Sequence, residues 1–186
     1  MGDYIKRMLR AEERVRPIFC SFICAVFMLV QTGCEEFQGL IPPTDALYYP
    51  VEMALHPSGD YLYVVNTNFD VTYAHESGGM VTVIDTGTLE ILPERTVSVG
   101  SFGGEIALSE DARHLYVAVR GDNSLVRLDV SESGGEITCE GGLDGLPCRI
   151  MGLPSDPYAL DISQWAVPLE TGELVQVELI MISHLS

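Results

Sequence analysis

The feature that most constrains this chain is that it says the same thing twice. Ala54-Leu55, Leu62-Tyr63-Val64 and Val81-Thr82-Val83-Ile84-Asp85 return as Ala107-Leu108, Leu115-Tyr116-Val117 and Leu125-Val126-Arg127-Leu128-Asp129, and the first two blocks recur at a spacing of 53 residues. Each block is a short run of β-branched, aromatic and aliphatic residues bounded by Gly, Pro, Asp or Ser, the pattern of a strand between tight turns.

In the first unit, Val51–Leu55 and Tyr61–Asn66 are read as strands around the turn His56-Pro57-Ser58-Gly59-Asp60. Met80–Asp85 is a third strand, and Arg95–Val99 a fourth. The second unit follows the same plan with Glu105–Leu108, His114–Val119, Ser124–Val130 and Arg149–Leu153. A third begins at Pro157-Tyr158-Ala159-Leu160 and reaches Leu179–Ser183. A period of about 40 to 50 residues holding four short antiparallel strands is the blade of a β-propeller. The expected fold class is therefore all-β: blades of four antiparallel strands in units 50–102, 103–155 and 156–186, an open arc of about 2.6 blades. Closed propellers use about four to eight blades. The length predicts an incomplete propeller, either a truncated reading of a longer gene or one piece of a ring assembled from several copies.

The residues before the repeat have a different character. Five of the ten Lys and Arg lie in the first 16 residues, and Ile18–Val30 is an apolar run of 13 residues ending at Gln31-Thr32-Gly33-Cys34. A basic segment followed by a run too short to span a bilayer comfortably reads as a secretory signal over residues 1–33. An uncleaved helical anchor and a buried helix are the competing readings. Residues 34–49, with Ile41-Pro42-Pro43-Thr44, read as an extended tether. After Cys34 the chain carries 5 basic and 24 acidic residues and no lysine. Nucleic acid is excluded as a partner on that balance, because binding it rests on Lys and Arg neutralising phosphates.

The end of the apolar run resembles the lipobox of bacterial lipoproteins, with small residues Thr32 and Gly33 before Cys34; Gln31 stands where that family usually has Leu. The resemblance implies a lipidated Cys34 as the first mature residue and a membrane-anchored protein in the periplasm or on the cell surface. Cys20 and Cys24 would leave with the signal, and Cys139 and Cys148 would remain as one disulfide in an oxidising compartment.

The stretch ALHPSGDYLYVVNTN followed by VTVIDTGTLE resembles the YVTN-type β-propeller repeat. Tyr63, Val64 and Asn66 match its first motif and Val83, Ile84 and Asp85 its second; in the second unit only Tyr116, Val117 and Asp129 carry over. The resemblance implies fold and leaves function open, because such propellers host lactonases, dehydrogenase subunits and pure binding proteins. Active sites of the lactonase-like enzymes sit at the central channel, where the innermost strands here offer Glu52 and Glu105.

Other candidates are weighed residue by residue. Asn66, Asn68 and Asp70 stand at alternate positions, as in the opening of a calcium loop, but the Gly and the final acid of that loop are replaced by Val71 and Ser77, so a polar turn is the simpler reading. Arg120-Gly121-Asp122 spells an adhesion tripeptide and is read as turn material. His56, His75, His114 and His184 show no ligand spacing. Asp85 and Asp129 are read as turn caps. Trp165 is placed in a long loop between the first two strands of the third unit. It and Leu143 in the cysteine loop are the binding-loop candidates, expected on one face of adjacent blades. The expected function is a non-enzymatic binding or scaffold module of the cell envelope, with an unknown protein or small-molecule ligand and no cofactor. A lactonase-like propeller enzyme and a surface-layer structural protein are the alternatives.

Overall fold

A computed structural model of the chain describes residues 39–74, 78–139 and 148–185. Cys34, His75, Ser77, Leu143 and the signal segment 1–33 lie outside these residues. The structure is built from antiparallel sheets. The first blade runs β1 (Pro50–Leu55), β2 (Tyr61–Asn66) and β3 (Met80–Asp85), followed by two short pieces, β4 (Glu90–Ile91) and β5 (Val97–Ser98). The second repeats it as β6 (Gly103–Leu108), β7 (His114–Val119), β8 (Ser124–Val130), β9 (Ile137–Thr138) and β10 (Arg149–Met151). A hairpin of β11 (Pro157–Pro168) and β12 (Leu174–His184) follows. The expectation of propeller blades in an open arc is borne out.

The fourth strand of each blade differs from the sequence reading: it is two pieces laid on one neighbour. In the first blade β4 pairs with Ile84 and Asp85 while β5 pairs with Met80 and Val81. Between them, Pro93 opens a 3-10 turn over Pro93–Arg95. Proline has no N–H to give the ladder, so pairing breaks where it falls. In the second blade β9 pairs with Asp129 and Val130, and β10 pairs with Ser124, Leu125 and Val126. The insert between these pieces is closed by the Cys139–Cys148 disulfide.

The turns repeat bond by bond. Gly59 N–H donates to the His56 carbonyl at 2.8 Å, and Ala112 N–H, 53 residues on, donates to the Ser109 carbonyl at 2.9 Å. Both turn residues have positive φ, 82° and 58°.

The strand period of two assigns side chains to opposite faces of the second blade. From β7, Leu115, Val117 and Val119 join Tyr63, Val65, Val81 and Val83 in the core between the blades. Tyr116 and Ala118 face the other way and pack with Leu125 and Leu160 against the hairpin. A sheet covered on both faces reads as a continuous apolar run, which is why β7, from Leu115 to Val119, lacks the polar alternation of a surface strand. Polar links bridge the first two blades as well: Tyr63 Oη donates to the Gly134 carbonyl at 2.6 Å, and Arg95 Nη1 to that of Gly135 at 2.9 Å.

Trp165 is not in a loop. It lies in β11 opposite Val177, in a hairpin whose turn, between Pro168 and Leu174, is short. The inner half of the hairpin is long enough to pack on the second blade through Leu160, Ile162, Ile180 and Ile182. Alternating apolar residues continue past it, so the pairing continues too, and Trp165 is left 61% exposed. Residues read as tether also dock: Leu40 exchanges hydrogen bonds with Thr72 and Ala74, and Tyr48 is buried with its hydroxyl on the Gly78 carbonyl.

Candidate active site

The innermost strands β1, β6 and β11 lie side by side, with β6 in contact with both others. Each departs from regular pairing near its start. Val51 is the extra residue between the pairs Pro50–Asn66 and Glu52–Val65, Gly104 and Glu105 together oppose Ala118, and Tyr158 is extra between Pro157–His184 and Ala159–Ser183. Bulges bend a strand and re-aim its side chains. The three fall at equivalent points of the repeat, and there a cleft of about 340 Å³ opens, lined by the bulge residues with Glu52, Thr67, Phe69, Phe102, Gly103 and Arg120.

Glycine is required at its floor. A Cβ on Gly103 would meet Val65 Cγ1 at 2.6 Å, and one on Gly104 would meet the Tyr158 carbonyl oxygen at 3.0 Å. These two positions let β6 approach the first blade and β11 closely enough to bring Glu105 beside the third unit, where its Oε2 accepts from Leu160 N–H at 2.9 Å.

Arg120 ends the second strand of its blade, at the place Thr67 holds in the first. Its Nε and Nη2 both donate to the Asp156 carboxylate, the latter at 3.1 Å, and its guanidinium lies 5.2 Å from the centre of the Tyr158 ring. The hydrogen bonds from Arg120 hold the Asp156 carboxyl below the ordinary carboxylate range, and Asp156 in turn raises the Arg120 pKa. Asp156 is itself fixed: its N–H donates to Asn123 Oδ1 at 3.0 Å, its carbonyl accepts from Leu185 N–H, and its φ is 59°. An apolar wall completes the cleft, with Phe69 and Phe102 edge-to-face at 6.2 Å.

The structure thus brings Glu52 and Glu105 together and adds Arg120, Tyr158 and the Phe69–Phe102 pair, which the sequence reading did not assemble. Their signal was the repeat itself: carried across the units, the 53-residue spacing places Thr67 with Arg120 and Glu52 with Glu105 at one end of the innermost strands. The Arg120-Gly121-Asp122 tripeptide is used internally, Arg120 on Asp156 and Asp122 on Arg149.

The remaining candidates sit elsewhere. Asn66 Oδ1 accepts from Tyr48 N–H, Asn68 Oδ1 from Tyr73 N–H and Asp70 Oδ1 from Thr72 N–H, each at 3.1 Å, so their oxygens organise the loop after β2. His56 is buried beside Ser58 in its turn. His114 lies 3.7 Å from Asp129, and His184 faces the Ser155 carbonyl. Asp85 caps its turn through Thr88 N–H at 2.9 Å.

Comparison with known proteins places this cleft in context. Residues 49–142 match the family model described as lactonase, 7-bladed β-propeller. That segment contains every lining residue except Tyr158. The chain is 32% identical over 95 residues to the 6-phosphogluconolactonase of Enterobacter sp. (strain 638), a match covering 50% of this chain and 28% of that protein. The chain therefore spans under a third of that curated relative. Among solved structures, the periplasmic gluconolactonase of Pseudomonas aeruginosa aligns with TM-score 0.43 and 20% identity over 72% of this chain and 42% of its own. The hydrazine synthase of Kuenenia stuttgartiensis aligns with TM-score 0.45 and 20% identity over 73% of this chain and 37% of its own. The family match and the curated relative overturn the expectation of a non-enzymatic binding or scaffold module. That expectation rested on counting only two acids on the innermost strands, whereas the strand ends and bulges also bring an arginine and a tyrosine to the same place. A family match that takes in half of the chain, with the bulged strands β1 and β6 and all of the cleft lining but Tyr158, makes this chain a member of the 7-bladed β-propeller lactonase family.

Proposed function

We propose that the cleft is part of a hydrolytic site that opens a lactone ring, as the name of the Enterobacter relative suggests for its sugar-acid lactone. The observation that carries the reading is the coincidence of the matched segment with the cleft: Glu52, Glu105 and Arg120 all fall inside it. Ring opening of a cyclic ester needs a base for water and a positive group for the oxyanion. Glu105, held by Leu160 N–H, takes a proton from water as the hydroxide adds to the lactone carbonyl carbon. The developing oxyanion is met by the Arg120 guanidinium, whose Nε–Nη2 edge is on Asp156, leaving Nη1 for the substrate. As the tetrahedral intermediate collapses, the ring C–O bond breaks and the leaving alkoxide takes the proton back from Glu105. Glu52 accepts from substrate hydroxyls, and Phe69, Phe102 and Tyr158 pack on the ring.

The test is ring opening of D-glucono-1,5-lactone by the full chain, followed by proton release. Glu105→Gln is expected to lower kcat by about 100-fold or more, the usual range for a general base. Turnover unchanged in Glu105→Gln, or none above the spontaneous rate in the unsubstituted chain, would overturn the assignment.

A further inference from the structure

The chain lays its own lead-in along the cleft side of the first blade. Residues 39–49 run beside the loop after β2: Leu40 bonds Thr72 and Ala74 through its backbone, Thr67 N–H donates to the Tyr49 carbonyl at 3.1 Å, and the Tyr49 hydroxyl donates to Asp70 at 2.9 Å. Glycine is required where this seam begins, because a Cβ on Gly39 would collide with the Ala74 backbone. β1 starts and β2 ends at the cleft, so both segments belong to its face. The seam presents apolar side chains to solvent: Leu40, Ile41 at 92% exposure, Tyr49, Phe69 and Val71. Val71 is held there at φ 53°, a conformation that β-branched residues rarely adopt.

These side chains sit on loops at strand ends. A neighbouring blade packs through sheet faces, as the second does on the first through Tyr63, Val65 and Val117, so blade stacking does not account for this patch. The sequence says what holds the face instead. Five peptide steps separate Cys34 from Gly39, a reach of about 18 Å at full stretch. A lipid on Cys34, or the apolar run Ile18–Val30 retained in a bilayer, would lead into the domain at this same residue.

We propose that the seam of residues 39–49 and 66–74 rests on a lipid bilayer, so that the cleft mouth faces the membrane. Aromatic and aliphatic side chains seat at the headgroup boundary, and Asp45 and Asp70 in the same segments favour zwitterionic over anionic lipid. The inference draws on the membrane-anchored reading of the leader and is independent of the lactone chemistry.

Trp165, the chain's one tryptophan, provides an internal control. β11 runs away from the cleft, and Trp165 lies eight residues past Pro157, about 26 Å along the strand. The full chain, expressed with its own leader in a bacterial host, is reconstituted with phosphatidylcholine vesicles whose brominated acyl chains quench nearby indoles. Ile41→Trp combined with Trp165→Phe is expected to lose about half of its emission or more, since interfacial side chains seat about 5 to 10 Å into the headgroup boundary. Trp165 in the unsubstituted chain should keep its emission. Val71→Trp combined with Trp165→Phe should repeat the loss, and decides the matter if the first variant does not fold. Quenching of Trp165 as strong as at position 41 overturns the proposal. So does vesicle-bound protein quenched at neither 41 nor 71, which is the behaviour of a domain tethered but not seated, and so does a chain that fails to bind the vesicles. The mass of the bound protein reports the anchor separately: unlipidated protein quenched at position 41 keeps the membrane face and removes the lipid on Cys34 alone.

Discussion

The phenol of Tyr63, in the second strand of the first blade, donates a 2.6 Å hydrogen bond to the carbonyl of Gly134, a turn residue of the second blade 71 positions away. The contact is close on every side: a Cβ on Gly134 would lie 2.6 Å from the His56 ring, and His56 and Tyr63 are themselves edge-to-face at 6.4 Å. Blade-to-blade packing therefore passes through a polar pin set in an apolar wall. Tyr63→Phe keeps the ring and leaves the Gly134 carbonyl without this donor, a loss expected to cost about 1 to 2 kcal/mol. Urea unfolding of the two proteins checks it, and an unchanged midpoint would show that the bond adds nothing net.

Alkaline titration should report the same contact. Burial pushes the Tyr63 phenol from 10.0 up to about 12, and burial also raises Tyr48 and Tyr116. The folded chain thus keeps protons that the unfolded chain releases, so this stability is full below pH 10 and is lost as pH rises from 10 through about 12. Melting temperature followed against pH should fall over that window, and Tyr63→Phe should fall less.

Ala112 occupies with φ of 58° the turn position that Gly59 holds in the first blade with φ of 82°. The left-handed region costs an L-residue roughly 1 kcal/mol or more and glycine nothing, against a smaller penalty for glycine's freedom in the unfolded chain. Ala112→Gly is expected to raise stability by up to about 1 kcal/mol, and Gly59→Ala to lower it by a similar amount. Chemical denaturation of both variants decides whether the repeated turn carries this strain.

The Cys139–Cys148 bridge closes a short insert between two strand pieces that share β8 as their partner. Chain-entropy arguments give such a closure about 2 to 3 kcal/mol. The double variant Cys139→Ser, Cys148→Ser should lose about that much, and thiol labelling of the unreduced protein should find neither residue. Quantitative labelling of both would contradict the bridge.

Cys34 carries a prediction from sequence alone. If it is lipidated, acyl chains at about 0.8 kcal/mol per buried CH₂ hold the mature protein on a membrane. Cys34→Ser expressed in a bacterial host should then move to the soluble fraction and lose the mass of the lipid; unchanged partitioning would remove the anchor.

What the sequence determined by itself was the strand grammar. Tyr61–Asn66, Met80–Asp85, His114–Val119 and Ser124–Val130 are strands over the very residues read from period and composition, because alternation and turn chemistry are local properties that survive any packing. Pro93 was visible too, yet its consequence, a strand broken in two on one partner, depends on where the ladder to β3 runs. Trp165 was misplaced for a related reason: a strand of 12 residues, twice the length of β1 or β2, is decided by its pairing with β12 and not by its own residues. Glu52 and Glu105 were legible as innermost-strand acids, but the walls of the cleft were decided by the tertiary structure. Glu52, Glu105, Arg120, Asp156 and Tyr158 come from three units and meet only because three bulges coincide where β1, β6 and β11 lie side by side. A repeat announces which positions are equivalent, but only the packing of one unit on the next decides which of those positions face each other.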